Sequence, residues 1–297
     1  MNEMQFYLND FLERFDYPED ASRDLMKAFS VITEKCPELL LEILKTYESD
    51  CNCDYGEILK TAELISKNTG IHEYTVKLLV FICLSKRLKE LYSERNIPES
   101  IWYDSMCDLK YKLYECRDIH GINGSFVAPW FDGFFKLNRF ALGRFQFEIG
   151  KFEHHYEKDG KVLSPDSEVL YVHIPRSKIR LEKDICDLSY KMAQDFFAPR
   201  FTSSPLAFAC HSWLLYPENE SLFPKDSNLL RFMREFDIIE SCDYGNDHRD
   251  LWRLFDMKYN GNPDSLPGDS SLRRAYKNHL KNGGKTGWGF GVFFPQP

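Results

Sequence analysis

The apolar residues of this chain change period once, at His120-Gly121-Ile122-Asn123-Gly124, and that single change limits what the chain can fold into. Before it the spacing is helical throughout. Pro37 stands at a first helical position ahead of ELLLEILKTYES, and Gly70 closes YGEILKTAELISKNTG. EYTVKLLVFICLSKRLKELYSE reads as one long helix, and another opens near Pro98 and runs through SIWYDSMCDLKYKLYECRD. After the change glycines punctuate the chain, aromatic residues crowd FVAPWFDGFFKLNRF, and strand-like runs alternate with helical ones. The expected fold class is α+β, with an all-helical domain over 1–120 followed by a mixed β-sheet domain with flanking helices over 121–297. The apolar stripes of the helical half are expected to be mutual packing surfaces and not ligand sites.

In the second half Phe140 to Ile149 alternates. Ala141, Gly143, Phe145, Phe147 and Ile149 face one way and Leu142, Arg144, Gln146 and Glu148 the other, so a half-buried strand is expected, continuing through Tyr156 to a tight turn at Asp159-Gly160. Strands are then expected at Glu168 to Ile174, Leu206 to Leu215 and Leu251 to Phe255, and in the glycine-rich terminal run GWGFGVFF. Helices are expected at Leu181 to Phe197, Asn228 to Phe236 and Ser271 to Lys281, the last closed by Gly283-Gly284. There is no internal repeat and no low-complexity tract.

Composition excludes several classes of function. A net charge of −8 argues against a surface built mainly for nucleic acid or an anionic membrane, so a local basic cluster would be a site and not a global property. The nine cysteines fall at irregular intervals, which suits reduced thiols in a cytoplasm better than a secreted disulfide framework. Cys51-Asn52-Cys53 is too tight for the usual zinc spacing and reads as loop, so no metal is expected. MNEMQFYLNDFLERF carries acidic residues among its apolar ones and is not a signal peptide. The densest apolar run, Leu78 to Leu84, is flanked by Lys77 and Lys86 and falls far short of the roughly 20 residues that span a bilayer, so it reads as a buried helix.

Three groups of residues could carry chemistry. In YVHIPRSK, Tyr171 to Lys178, a β-branched and aromatic run stops at Pro175 and hands over to a basic loop ahead of a helix. The first N–H groups of that helix lack intrahelical partners, so with Arg176, Ser177, Lys178 and Arg180 they can hold an anion; the alternative is a solvated connection. In Phe208 to Leu215, Cys210, His211 and Ser212 interrupt an apolar strand. Alternation places His211 with Ala209 and Trp213, and Cys210 with Ser212 on the opposite face, so Cys210 and His211 are not a nucleophile–base pair. Such polar groups either find partners in the core or line a cavity. Finally, Glu148 on the polar face of its strand could act as a general base, or form a salt bridge at a solvent-facing edge.

The order of blocks HIPRSKIRL, CDLSYKMAQDFF, ACHSWLLYPE, FPKDSNLLRFMREFDI and LPGDSSLRRAYKNHLKNGG resembles the GNAT-like C-terminal domain of a family of bacterial predicted N-acyltransferases. LNRFALGRFQFE, preceded by WYDSMCDLKYKLYECRDIHGINGSFVAPWF, resembles the junction with that family's helical N-terminal domain, and the resemblance spans Ile101 to Pro297. It implies a cleft between two splayed strands, here Glu168 to Ile174 and Leu206 to Leu215, that takes acetyl-CoA or another acyl-CoA. On that likeness the backbone of Val172, His173 and Ile174 would bond the pantetheine arm, and Arg176, Ser177, Lys178 and Ile179 would hold the pyrophosphate. Glu148 or His211 would serve as the base, with Ser212 and Cys210 beside the thioester or the acceptor, a small-molecule amine. One departure is visible: the spaced glycines of the usual phosphate loop are missing, and Lys178 stands where similar chains often carry glycine. The alternatives are a non-catalytic GNAT-like module that binds CoA or a protein partner, and an acyl step carried on Cys210. Neither nucleic acid nor membrane is expected as a partner, and nothing indicates the oligomeric state.

Overall fold

A computed structural model describes residues 2–202 and 205–295, and the chain divides into two compact units, Met1–Ala141 and Leu142–Pro297. The first unit contains helices α1 (Asn2–Arg14), α2 (Glu19–Lys35), α3 (Pro37–Ser49), α4 (Tyr55–Thr69), α5 (Glu73–Glu94) and α6 (Glu99–His120). A 3₁₀ turn at Ala128–Phe131, the short α7 (Asp132–Phe135) and strand β1 (Arg139–Leu142) follow. Their ends carry the punctuation read from sequence: Pro37 opens α3, while Gly70 and Gly121 close α4 and α6 in the left-handed conformation. Asp54 caps α4 by accepting a hydrogen bond from Gly56 N at 2.7 Å.

Helix α5 is the axis of this unit. Every residue from Leu78 to Leu84 is buried, and α1, α2, α3, α4 and α6 all pack against the helix. A helix apolar on all sides is stable in water only when surrounded in this way. Phe81 meets Phe131 and Phe135 with ring centroids 5.0 Å apart, so the 3₁₀ turn and α7 complete the packing. The change of texture at Gly121 to Gly124 therefore falls inside the first unit, where Ser125 N bonds to Tyr74 O at 2.9 Å.

The second unit is built on a mixed sheet with flanking helices. In chain order its elements are β2 (Phe145–Lys151), β3 (Tyr156–Lys158), β4 (Lys161–Leu163), β5 (Glu168–His173), α8 (Lys183–Phe197), β6 (Phe208–Ser212), α9 (Asn219–Leu222), α10 (Asn228–Met233), β7 (Asp237–Asp243), α11 (Leu251–Phe255), α12 (Ser271–Lys281) and β8 (Gly287–Phe293). Its strands lie in the order β2-β5-β6-β8-β7, and β3 pairs with β4 as a separate hairpin turning at Asp159-Gly160, both residues having positive φ. β5 and β6 are parallel; the other neighbours in this order are antiparallel.

Alternation assigns the two faces. Phe145, Phe147, Phe208 and Phe293 gather around Tyr190 of α8, with centroid separations of 4.9 to 6.2 Å. On the opposite face Val169, Ala207, Ala209, Phe290 and Val292 pack with Phe152, Tyr156 and Leu163 of the hairpin region. β8 passes so close to the turn after β6 that a Cβ on Gly289 would lie 2.1 Å from Leu215 O, which excludes any side chain there.

Several sequence expectations are corrected here. The run Phe140 to Ile149 is two strands divided by a turn at Gly143-Arg144, where Gly143 has φ 71°. The strand expected to continue to Tyr156 stops at Lys151. Leu251 to Phe255 is helix and not strand: Leu251 and Phe255, four apart, are both buried, and a short apolar run cannot distinguish the two periods. β7 was absent from the expected elements because its exposed stretch Glu240 to Asp243 breaks the alternation. The strand from Leu206 ends at Ser212, whose Oγ accepts from Leu214 N at 3.2 Å and starts a 3₁₀ turn over Trp213–Leu215.

Candidate active site

The parallel strands β5 and β6 pair over a short length. Their register covers Leu170↔Phe208 and Tyr171↔Ala209 and then stops, while β5 remains paired with β2 as far as His173 and β6 with β8 as far as Ser212. Each strand follows its outer neighbour, so the two part toward their C-terminal ends. The family resemblance implied such a parting between these two strands.

On the sheet face away from α8, the parted ends carry polar groups. In the β2–β5 ladder Gln146 lies opposite His173 and Glu148 opposite Tyr171, so Glu148 and His173 are diagonal neighbours on one face. Glu148 Oε2 stands 2.8 Å from His173 Nε2, and each side chain is 23% exposed. A carboxylate in this position orients the imidazole, the arrangement a proton acceptor needs. Tyr171, next to them on β5, lies over Phe290 and donates its hydroxyl to Lys151 O at 2.9 Å.

The β6 candidates separate according to face. His211 is exposed and tilted over Trp288 at 4.3 Å, and among the described residues no carboxylate bonds to it. Cys210 points into the α8 side of the core, 1% exposed, and burial pushes its thiol up to about 12, so it is not a thiolate at neutral pH. Ser212 is occupied in capping the 3₁₀ turn. Val172 is buried among the α8-facing residues and can offer a ligand only backbone, whereas Ile174 is half-buried at the start of the loop.

The basic loop is fastened at two points. Arg144, itself buried, donates Nη1 to Pro175 O at 3.1 Å. Arg176 Nη2 donates to Asp256 Oδ1 at 2.7 Å, and Arg273 Nη2 holds the other oxygen of the same carboxylate at 2.6 Å. Ser177 Oγ accepts weakly from Ile179 N at 3.4 Å. Lys178 takes φ 63°, the left-handed region that glycine enters freely, so this position has a glycine-like conformation with a lysine. Lys178, Ile179 and Arg180 are exposed, and α8 begins after Glu182 without a side-chain cap. Its leading N–H groups and these cations can receive a diphosphate. Arg176 is thus engaged in fastening the loop, and the side chains of Lys178 and Arg180 are exposed.

Sequence reasoning gave His173 only a backbone role and did not find its pairing with Glu148. The alternation of each strand was legible; their mutual register was not. Asp256 and Arg273, which hold Arg176, lie far along the chain, and nothing local to either residue marks the contact. Among the described residues no group of three or more His, Cys, Asp or Glu is placed to hold a metal ion, and no helix is long and apolar enough to cross a membrane. All nine cysteines are free thiols.

Comparison with known proteins follows this geometry. Residues 139–293 match the family model of a GNAT-like C-terminal domain and residues 7–137 that of an N-acyltransferase N-terminal domain. An acyltransferase crystallised with decanoyl-CoA is 22% identical, with TM-score 0.72 over 96% of this chain and 87% of that one. A mutant acyltransferase with octanoyl-CoA is likewise 22% identical, with TM-score 0.74 over 97% and 87%. A third structure, an acyltransferase with decanoyl-CoA and teicoplanin, gives 22% identity and TM-score 0.72 over 96% and 86%. Nothing among the curated proteins matches the chain.

Proposed function

The chain belongs to the family that joins an N-acyltransferase N-terminal domain to a GNAT-like C-terminal domain, and from that premise we propose that it is an acyl-CoA-dependent N-acyltransferase whose proton acceptor is the Glu148–His173 pair. The observation that carries the reading is the 2.8 Å contact between these side chains beside the parted ends of β5 and β6. The amine nitrogen of the acceptor attacks the thioester carbonyl, the C–S bond breaks, and the thiolate of CoA leaves. The proton lost by nitrogen passes to His173, with Glu148 stabilising the imidazolium, and then to the departing sulfur. Backbone N–H groups of the parted strands are the donors for the oxyanion.

Loop Pro175–Glu182 and the start of α8 take the diphosphate, with Lys178 and Arg180 as its cations. Membership of an N-acyltransferase family supports an amine acceptor. The decanoyl- and octanoyl-CoA of the similar structures support a medium-chain donor, to be set against acetyl-CoA in the first assay. Cys210 has no part in this scheme, because a buried protonated thiol is a poor nucleophile.

The test is calorimetric titration with acetyl-, octanoyl- and decanoyl-CoA, on the protein and on a Lys178→Ala/Arg180→Ala variant, followed by an amine screen with release of free thiol as the readout. Binding weakened about tenfold by the double substitution, or ~1.4 kcal/mol, is expected. Absence of binding by every ester would replace this reading with a non-catalytic interaction module.

A further inference from the structure

His211 faces His173 across the parted strands. The β5–β6 register, Leu170↔Phe208 and Tyr171↔Ala209, sets His173 level with His211 when continued by two residues, and alternation turns both side chains to the face away from α8. The ladder ends before this level, so a thioester lying between the strands has one imidazole on either side. The two rings differ in their surroundings. His173 meets the Glu148 carboxylate at 2.8 Å. His211 is exposed, and among the described residues neither of its ring nitrogens makes a hydrogen bond; the ring is held instead by Trp288, with centroids 4.3 Å apart and planes at 33°. The run GWGFG accounts for the place of Trp288. A Cβ on Gly287 would lie 2.3 Å from Cys242 O and 2.6 Å from the Tyr216 ring, and Gly289 tolerates none against Leu215 O. These close approaches press β8 against the turn that follows β6, and the residue between them turns its indole to the opposite face, against His211.

An amine that passes its proton to His173 enters from the β5 side. The carbonyl oxygen turns away from the entering nitrogen, toward β6, and gains negative charge as its carbon becomes tetrahedral. An imidazole carries at least one N–H in either protonation state, so it can donate to that oxygen. We propose that His211 is a side-chain donor to the oxyanion, beside the backbone N–H groups of the strands, and that Trp288 is a positioning residue that fixes its ring. The inference rests on the acyl-CoA reading above, with His173 as the proton acceptor. No covalent bond to His211 forms or breaks: its hydrogen bond strengthens as the oxyanion develops and weakens when the carbonyl re-forms with loss of the CoA thiolate.

The first readout is steady-state turnover of octanoyl-CoA with a working amine. His211→Ala should lower kcat by ~10²–10³-fold, with KM for octanoyl-CoA unchanged within a factor of about three. His211→Gln keeps an N–H donor but is no base, and should recover about tenfold or more of that loss. Trp288→Ala should lower kcat in the native background and add nothing to His211→Ala, a pattern that lost packing alone would not give. The second readout needs no acceptor. The infrared carbonyl band of bound octanoyl-CoA, labelled with carbon-13 at that carbon, should lie below its position in solution, move partway back in His211→Ala and stay low in His211→Gln. Thermal melting confirms that each variant is folded. Full kcat in His211→Ala, a glutamine variant no better than alanine, or a carbonyl band indifferent to both substitutions would overturn the role of His211 while leaving the acyl-CoA reading intact. No binding of octanoyl-CoA by the unsubstituted protein would overturn both.

Discussion

Helix α5 and strand β5 are both largely buried, yet they differ in what burial leaves over. From Leu78 to Leu84 α5 buries every residue, so each side chain there is committed to packing. β5 alternates: Val169, Leu170 and Val172 are buried, and Tyr171 and His173 remain half-buried on one face. A helix surrounded by other helices has no side left for a substrate, whereas a strand that parts from its neighbour keeps one polar face open beside a packed one. In this protein chemistry is to be sought where burial is incomplete and the polar group has a partner.

The largest effect that would break this comparison lies at His173. His173→Ala and Glu148→Gln should each lower turnover by ~10²–10⁴-fold while leaving acyl-CoA binding within a factor of a few. Steady-state kinetics with a working amine acceptor measure this, and undiminished turnover in both variants would remove the pair from the mechanism. In α5 the consequence should be the opposite kind. Phe81→Ala, which empties a site between Phe131 and Phe135, should cost ~3–5 kcal/mol of stability, read from the denaturant midpoint, with the folded fraction retaining its turnover. If Phe81→Ala instead slowed the folded enzyme, the division between packing helix and reacting strand would be wrong.

Smaller effects sharpen the contrast within the sheet. Cys210→Ser buries a hydroxyl in an apolar setting and should destabilise by ~1–3 kcal/mol while leaving the turnover number unchanged. The native thiol, pushed up to about 12, should also resist alkylation at pH 9 in the folded protein; rapid modification there, or lost turnover in the serine variant, would bring Cys210 back into the reaction. Lys178→Gly relieves a left-handed lysine but adds flexibility to the unfolded chain, so the net change in stability should stay below ~1 kcal/mol. The same variant should weaken acyl-CoA binding less than Lys178→Ala/Arg180→Ala does, and an equal or larger loss would show that Lys178 alone carries the anion contact.

Much of the fold was legible because its signals are local. Pro37, Gly70 and Gly121 mark helix ends by their own backbone preferences, and Asp159-Gly160 marks a hairpin in the same way. The basic loop before α8 was visible for the same reason. The errors fell where local signals are ambiguous or weak. Leu251 to Phe255 is too short for its period to be read, β7 is polar along half its length, and Gly143 turns a run whose alternation looks unbroken. The proposed site was legible in part. Sequence named Glu148 and the loop cations as candidates, but it showed neither the contact of Glu148 with the His173 side chain nor that of Asp256 with Arg176.

Sequence by itself determined the kind of most major elements, the helical character of the first half and the presence of a basic loop at a strand–helix junction, because period, caps and turns act over a few residues. Only the tertiary structure decided that Glu148 meets His173, that β5 and β6 part after Tyr171 and Ala209, and that Asp256 claims Arg176. Those facts depend on strand register and on the packing of distant segments, and a slip of one residue between β2 and β5 would send Glu148 to the opposite face with every local signal unchanged.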